Sequence, residues 1–237
     1  MKKETKTWIY TLAIMGVLLM LSTSFSMKSD SSNSSPTGTT INDADGNIYH
    51  TVTIGTQVWM VENLKTTKYN DGTAIPLVTD GEAWGKLTTP GYCWYNNDAA
   101  TFKATYGALY NWYAVNTGKL CPTGWHVPTD AEWTKLTTFL GGNGIAEGGK
   151  LKETGTSHWK SPNTGATNVK GFTALPGGYR GGYGVAFYNV GSYGYWWSST
   201  ESRSYSAWRR EMGYDESDVS SNDGNKEAGC SVRCIRD

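Results

Sequence analysis

Cys121, His126, Asp130 and Glu132 fall within twelve residues of one another in LCPTGWHVPTDAEWTKLTTFLGG, Leu120 to Gly142. A thiol, an imidazole and two carboxylates are the parts of an activated nucleophile with general acid–base help. The same stretch has a purely structural reading. Thr129-x-x-Glu132 is a capping box, in which hydroxyl and carboxylate each satisfy a free backbone N–H. Asp130 favours the positive end of the helix that follows. Trp133, Leu136 and Leu140 then share one helical face, and Gly141-Gly142 ends it. His126 precedes the helix with no acid–base partner apparent in the sequence. The cap accounts for both acids without chemistry, so the segment is expected to be a capped helix and not a catalytic centre.

The rest of the chain offers no familiar catalytic signature. HExxH, GxSxG, the Walker loop and GxGxxG are all missing, no cofactor is expected, and the three histidines, His50, His126 and His158, lack ligand spacing. Asp43, Asp45 and Asn47 resemble the start of a calcium loop, but an EF-hand needs its glycine one place later and a glutamate where Ile54 stands. An Asp-Gly turn explains them equally well. The cysteines, Cys93, Cys121, Cys230 and Cys234, are even in number. Cys230 and Cys234 lie in a strand-like segment, where four residues span about 13 Å. A disulfide needs Cα atoms within about 7 Å. Each therefore reaches back to Cys93 or Cys121; a zinc site is the rival, without a CxxC pair to support it.

The disulfide reading depends on export. Lys2, Lys3 and Lys6 form a basic start, Trp8 to Leu21 is a 14-residue apolar run, and Ser24-Phe25-Ser26 suits a signal peptidase. Residues 1–26 read as a signal peptide with cleavage after Ser26, leaving no membrane span, since spanning takes roughly 17–25 apolar residues. The destination is the periplasm, the outer cell surface or the medium. Residues 27–41, Ser/Thr-rich, read as a flexible linker, and 42–237 as one domain. Removing the signal takes away three lysines and Glu4, leaving a net charge of −2. No basic field exists for nucleic acid.

Glycine (29), tyrosine (15) and tryptophan (11) are abundant, while charged residues reach only 18%. Such a composition suits a loop-rich domain containing sheet. Asn47 to Leu64 alternates around Gly55-Thr56 and predicts a hairpin, with Ile48, Val52 and Ile54 facing the same way as Val58, Met60 and Leu64. A helix is expected over roughly Ala99 to Asn116, carrying Leu109, Trp112 and Tyr113 on one face. Short strands are expected at Gly171–Leu175, Trp196–Ser199, Ala207–Met212 and Ser231–Arg236, with Gly213 to Gly229 a long polar turn. The pattern is α+β: hairpin, two helices, long glycine- and aromatic-rich loops and a closing antiparallel sheet.

Within GGYRGGYGVAFYNVGSYGYWW, Gly177 to Trp197, tyrosines alternate with glycines, which is how adaptable binding loops are built. Trp196 or Trp197 is expected to be buried, with Tyr183, Tyr188 and Tyr193 exposed. The candidate binding residues are Tyr179, Arg180, Tyr183, Tyr188, Tyr193, Arg203, Tyr205, Arg209 and Tyr214.

DADGNIYHTVTIGTQVWMVENLK, YGALYNWYAVNTGKLCPTGWHVPTDAEW, GFTALPGGYR, GYWWSSTE and CSVRCIRD follow in that order over Asn42 to Asp237. Together they resemble the Fibrobacter succinogenes major paralogous domain, a family of exported bacterial proteins, many from Bacteroidetes. The resemblance implies a C-type-lectin-like fold and distant kinship to the formylglycine-generating, sulfatase-modifying group, whose Leu-Pro-Thr-Glu-Ala-Glu-Trp is similar to Val127–Trp133 here. It implies a Cys121–Cys234 disulfide, and it places Cys230 where an aromatic is more usual, which puts a Cys93–Cys230 bridge in question. Calcium-dependent lectins carry Glu-Pro-Asn and Trp-Asn-Asp; the nearest strings here, Ser161-Pro162-Asn163 and Trp197-Ser198-Ser199, lack the carboxylates. The reactive cysteine pair of the formylglycine enzymes precedes the final strand, whereas Cys230 and Cys234 lie in it. The expectation is an exported, non-catalytic domain binding a protein or glycan through tyrosine- and glycine-rich loops. The alternatives are a formylglycine-generating type of cysteine and metal enzyme and a structural envelope or matrix protein.

Overall fold

The structure, a computed structural model, describes residues 39–142, 146–183 and 186–237 of the 237. The expected signal peptide and residues 27–38 of the linker lie outside these. In chain order the elements are β1 (Thr40–Asn42), β2 (Ile48–Ile54), β3 (Gln57–Met60), α1 (Gly81–Gly85), β4 (Tyr92–Cys93), α2 (Ala99–Tyr106), β5 (Leu109–Tyr110), α3 (Trp112–Val115), β6 (Trp125–His126), α4 (Asp130–Phe139), α5 (Glu147–Leu151), β7 (Gly177–Arg180), β8 (Phe187–Val190), β9 (Tyr193–Arg203), β10 (Ser206–Gly213), β11 (Ser220–Asn225) and β12 (Ile235–Arg236). Helices and sheets mix, with more residues in strands than in helices. One five-stranded sheet runs β1-β2-β3-β12-β6, a second runs β11-β10-β9-β7-β8, and β4 pairs with β5.

The last two residues of the expected linker belong to β1, because Thr40 and Ile41 pair with His50 and Tyr49. The β2–β3 hairpin turns at Gly55-Thr56 as predicted, but its faces differ from expectation. Val52 pairs with Trp59 and Ile54 with Gln57, so the face-mate of Ile54 and Val52 is Trp59, while Val58 and Met60 look the other way. Both faces are covered near the turn. Ile54 and Trp59 join one apolar cluster with Trp133, Leu136, Phe172, Trp196, Met212 and Ile235. Tyr49 and Met60 join another with Leu64, Tyr110, Trp112, Trp197 and Val232. Ile48, beyond the edge of the first cluster, is 55% exposed.

The second sheet lies between the same two clusters. Trp196 and Trp197 are adjacent in β9, point to opposite faces, and are both fully buried. Each ring hides about 200 Å², which stabilises the fold by about 5 kcal/mol at ~25 cal/mol per Å². Their indole N–H groups donate to Asn63 Oδ1 (2.9 Å) and to the Tyr110 carbonyl (2.8 Å).

The helix expected over Ala99–Asn116 is interrupted. Gly107 has φ +75, and a Cβ there would sit 2.6 Å from the Leu64 carbonyl oxygen. Ala108 N–H donates to that same oxygen at 3.0 Å. The chain runs straight past residues 63–64, and Leu109–Tyr110 pairs as a strand before α3 restarts under the Asn111 cap. Of the strand expected over Gly171–Leu175, only a bridge at Ala174 forms, since Thr173 takes φ 56. The polar turn expected over 213–229 contains a six-residue strand, β11, fully paired with β10. The closing strand is shorter than expected: bridges at Gly229, Cys230 and Ser231 lead into Ile235–Arg236 alone.

The capped helix forms as read. Thr129 Oγ1 accepts from Glu132 N–H (3.2 Å) and Glu132 Oε2 from Thr129 N–H (2.8 Å). Trp133, Leu136 and Leu140 are buried, and Gly142, at φ +61, closes the helix by donating to the Thr137 carbonyl at 3.0 Å. Arg210 in β10 holds its first turn through the Asp130 carboxylate.

Candidate functional site

Period-two alternation puts Tyr193 and Tyr195 of β9 on one face of the second sheet, together with Arg209 and Glu211 of β10. Glu211 pairs with Tyr195 and Arg209 with Trp197 across the strands. On the other side of β9, Tyr179 of β7 lies beside Tyr195, and Tyr188 of β8 pairs with Tyr179. The rings touch in sequence. Tyr188 stacks on Tyr179 (centroids 5.2 Å, 28° between planes), Tyr179 meets Tyr195 at 4.7 Å, and Tyr195 stacks on Tyr193 at 6.1 Å and 28°. Tyr214 meets Tyr193 edge-on at 6.4 Å. The Arg209 guanidinium carbon sits 5.0 Å from the Tyr195 ring centre and 5.5 Å from that of Tyr179. Its Nε donates to Glu211 Oε1 at 2.8 Å.

Glycines explain why these side chains lie along the sheet. A Cβ at Gly213 would meet Tyr193 Cε1 at 2.7 Å, one at Gly224 would meet Arg209 Nη1 at 2.9 Å, and one at Gly181 would meet Tyr188 Cε2 at 3.2 Å. Each large flat group covers the space its glycine neighbour leaves empty. The face grades from core to open surface. Trp197 is fully buried, Tyr195 is 6% exposed, Tyr179 and Tyr193 are half-buried, and Tyr188 is 45% exposed. Burial pushes the Tyr195 phenol up to about 12 and raises those of Tyr179 and Tyr193, so all three stay protonated at neutral pH. Asn189 donates to the Tyr195 hydroxyl at 2.8 Å and fixes it. Asp215, with Glu216 and Asp218 close by, borders the face, and the Tyr193 hydroxyl donates to Asp215 at 3.3 Å. Burial and the neighbouring charges of Asp218, Asp215 and Glu211 raise the Glu216 carboxyl.

Of the expected binding residues, the fold therefore gathers Tyr179, Tyr188, Tyr193, Arg209 and Tyr214. It sets the others apart. Arg180 is 1% exposed; it donates to the carbonyls of Val78 (2.7 Å), Thr79 and Asp80 (3.1 Å each) and lies over Trp84 and Phe187, so it pins a loop to the core. Tyr183 is 85% exposed, with its backbone against α1, where a Cβ on Gly85 would meet its carbonyl at 2.8 Å. Arg203 and Tyr205 bond each other at the β9–β10 tip, about 30 Å along the strand from Tyr193 at ~3.3 Å per residue. The sequence reading passed over Tyr195, Glu211 and Asn189. The alternations Tyr193-x-Tyr195 and Arg209-x-Glu211 were the available signal.

The cysteines divide. Cys121 and Cys234 form the disulfide that the family resemblance implied. Cys93 and Cys230 are unpaired, which corrects their inclusion among the disulfide cysteines. They pack in different apolar clusters, Cys93 beside Trp84 and Leu109, Cys230 beside Tyr195 and Val232. Burial pushes both thiols up to about 12, although Arg180 beside Cys93 and Arg209 beside Cys230 pull the other way. Neither is an accessible thiolate, the requirement of a cysteine nucleophile.

His126 does have acid partners, contrary to the sequence reading. Its Nδ1 lies 2.6 Å from Asp237 Oδ1 and its Nε2 2.9 Å from Glu132 Oε1. Burial opposes its charge, but the two carboxylates outweigh it and raise the imidazole above its ordinary value. Asp43 accepts from the backbone of Asp45 and Asn47, from the Asn47 amide and from the Tyr49 hydroxyl. Asp45 accepts from Thr67 and pairs with Lys68, so the possible calcium loop is a turn closed on protein donors. The buried Asn163 amide of Ser161-Pro162-Asn163 donates to the carbonyls of Glu153 and Gly155. Among the described residues, no group of three or more His, Cys, Asp or Glu is placed to hold a metal ion, and no helix is long and apolar enough to cross a membrane.

These features define a disulfide-closed domain of mixed helix and sheet with an open aromatic face on its second sheet. The chain belongs to the Fibrobacter succinogenes major domain family, whose model matches residues 52–236. No curated protein and no solved structure matches it.

Proposed function

We propose that this protein is an exported, non-catalytic binding domain that recognises a glycan or protein through the tyrosine face of its second sheet, on a C-type-lectin-like scaffold. The observation that carries the reading is the run of contacting rings from Tyr188 through Tyr179 and Tyr195 to Tyr193, with an Arg209–Glu211 pair at its floor. Aromatic groups with one wet end are what recognition surfaces use, because they supply contact area at little entropic cost. The burial of both free thiols supports the non-catalytic part. The scaffold assignment is supported by the closing of the N-terminal hairpin by the last strand, where Ile235 pairs with Trp59, and by the disulfide at that strand. Export is supported by the basic, apolar and small-residue run of the first 26 residues.

The test is binding to a printed array of oligosaccharides and to a displayed peptide library. Tyr188→Ala with Tyr193→Ala removes the two outer rings of the run, while Tyr183→Ala with Tyr205→Ala removes more exposed rings outside it. Loss of binding in the first pair and retention in the second is expected. The reverse pattern moves the site to the loop tips, and loss in neither pair removes the tyrosines from recognition.

A further inference from the structure

The chemistry of the tyrosine face selects among ligand classes, and the selection rests on the binding reading above. Arg209 and Glu211 place a row of donors beside a pair of acceptors within one ion pair, 2.8 Å apart and only about one-sixth exposed. A sugar with neighbouring hydroxyls presents the matching pattern, since each hydroxyl both donates and accepts. An anionic group does not match. Arg209 is already neutralised by Glu211, and Asp215, Glu216 and Asp218 add negative charge along the rim. The protonated phenols of Tyr179 and Tyr193 add neutral hydroxyls, while that of Tyr195, 6% exposed, is already held by Asn189.

Ring attitude points the same way. Tyr188 and Tyr193 lie over Gly181 and Gly213, not upright from the sheet. A ring laid along the sheet offers its π face, and the C–H face of a pyranose is the polar molecule's flat apolar side. An upright ring would offer an edge, the geometry of an apolar protein anchor seated in a pocket.

We infer that the face defined by Tyr188, Tyr179, Tyr195 and Tyr193 binds a neutral pyranose chain, its rings stacked on Tyr188 and Tyr193 and its hydroxyls read by Arg209 and Glu211, without a metal ion.

The experiment is calorimetric titration of the full mature chain, in EDTA, with four neutral hexasaccharides (cello-, malto-, manno- and xylohexaose) and with hexagalacturonate as the acidic probe. At least one neutral hexasaccharide is expected to bind and the acidic one not to. Tyr188→Ala should weaken that binding at least tenfold and Tyr188→Trp restore it. Gly224→Leu, which drives the Arg209 guanidinium from its seat, should weaken it while leaving the tyrosines in place. Matching circular dichroism and urea midpoints for each variant keep folding out of the comparison. The inference is overturned if no neutral hexasaccharide binds, if only hexagalacturonate binds, or if Tyr188→Ala changes nothing. Peptide-library binding lost in Tyr188→Ala with no saccharide binding would sink the sugar assignment while leaving the binding reading standing. No ligand of either kind sensitive to the tyrosines would sink both.

Discussion

Replacing Cys121 and Cys234 together by alanine removes one covalent link and little else, so its cost can be worked out beforehand. The two residues are 113 apart in sequence. A crosslink closing a loop of that length lowers the entropy of the unfolded chain enough to stabilise the fold by about 4.8 kcal/mol at 25 °C. Native contacts add a local term. Cys121 precedes β6 and Cys234 precedes β12, and those strands pair only through Ile235 with His126 and Arg236 with Trp125. Two residue pairs are a weak ladder, so without the disulfide the amides of Ile235 and Arg236 should exchange faster than those of β9 and β10. Equilibrium urea unfolding of wild type and of the double variant measures the main effect, and wild type in reductant should match the variant. A stability loss near 4–5 kcal/mol with a steeper urea dependence, from a more expanded unfolded state, is expected. A loss under about 1 kcal/mol would refute the reasoning, because it would mean the unfolded chain was never restrained.

Other consequences are open to direct measurement. An Ellman assay should find no reactive thiol in the native protein and two after denaturation without reductant; a native thiol would contradict the burial of Cys93 and Cys230. His126 has a folded-state pKa raised by Asp237 and Glu132, so its contribution is fully present below its unfolded value of about 6.5 and is lost as pH rises through the folded one. His126→Gln should therefore lose more stability relative to wild type at pH 5.5 than at pH 8.5, as read by thermal melts; an equal loss at both would discard the coupling. Arg233 is fully buried and donates to the carbonyls of Phe172 and Thr173 and to Asn63 Oδ1, with burial pulling its pKa down to about 9. Arg233→Met should cost roughly 3 kcal/mol by stranding those acceptors, against little change if the site repacks. Thr129→Ala should cost about 1 kcal/mol through loss of the cap, measured by the same unfolding curves.

Which elements were legible in the sequence depended on how local their causes are. The α4 cap was readable because Thr129 and Glu132 satisfy each other's backbone three residues apart. The β2–β3 turn was readable from Gly55-Thr56, but not the faces, because Trp59 and Met60 are buried on opposite sides and leave no polar face to mark the outside. The break at Gly107 depends on the Leu64 carbonyl, 43 residues earlier. The strand SSNDGN has no apolar alternation because it is an edge strand, and polar residues guard such an edge. Arg180 looked like a surface group because its carbonyl acceptors lie a hundred residues upstream. The same distance effect hid Asp237, one partner of His126, whereas the other, Glu132, lies only six residues on.

The glycine-tyrosine segment shows how far composition can mislead about structure. Gly177 to Tyr195 reads as loop, because glycine weakens strands. Much of it is nonetheless sheet, and the side chains of Tyr188, Tyr193 and Arg209 lie against Gly181, Gly213 and Gly224. One strand face thereby serves two ends. At Trp197 it closes over the core beside Cys230 and Ala207, and toward Tyr193 it opens to solvent with the same alternation. The tyrosines proposed to recognise a ligand are thus continuous with the tryptophan that holds the fold. A substitution at Tyr195, between the two, should disturb both stability and binding. One at Tyr188, the far exposed end, should disturb binding alone.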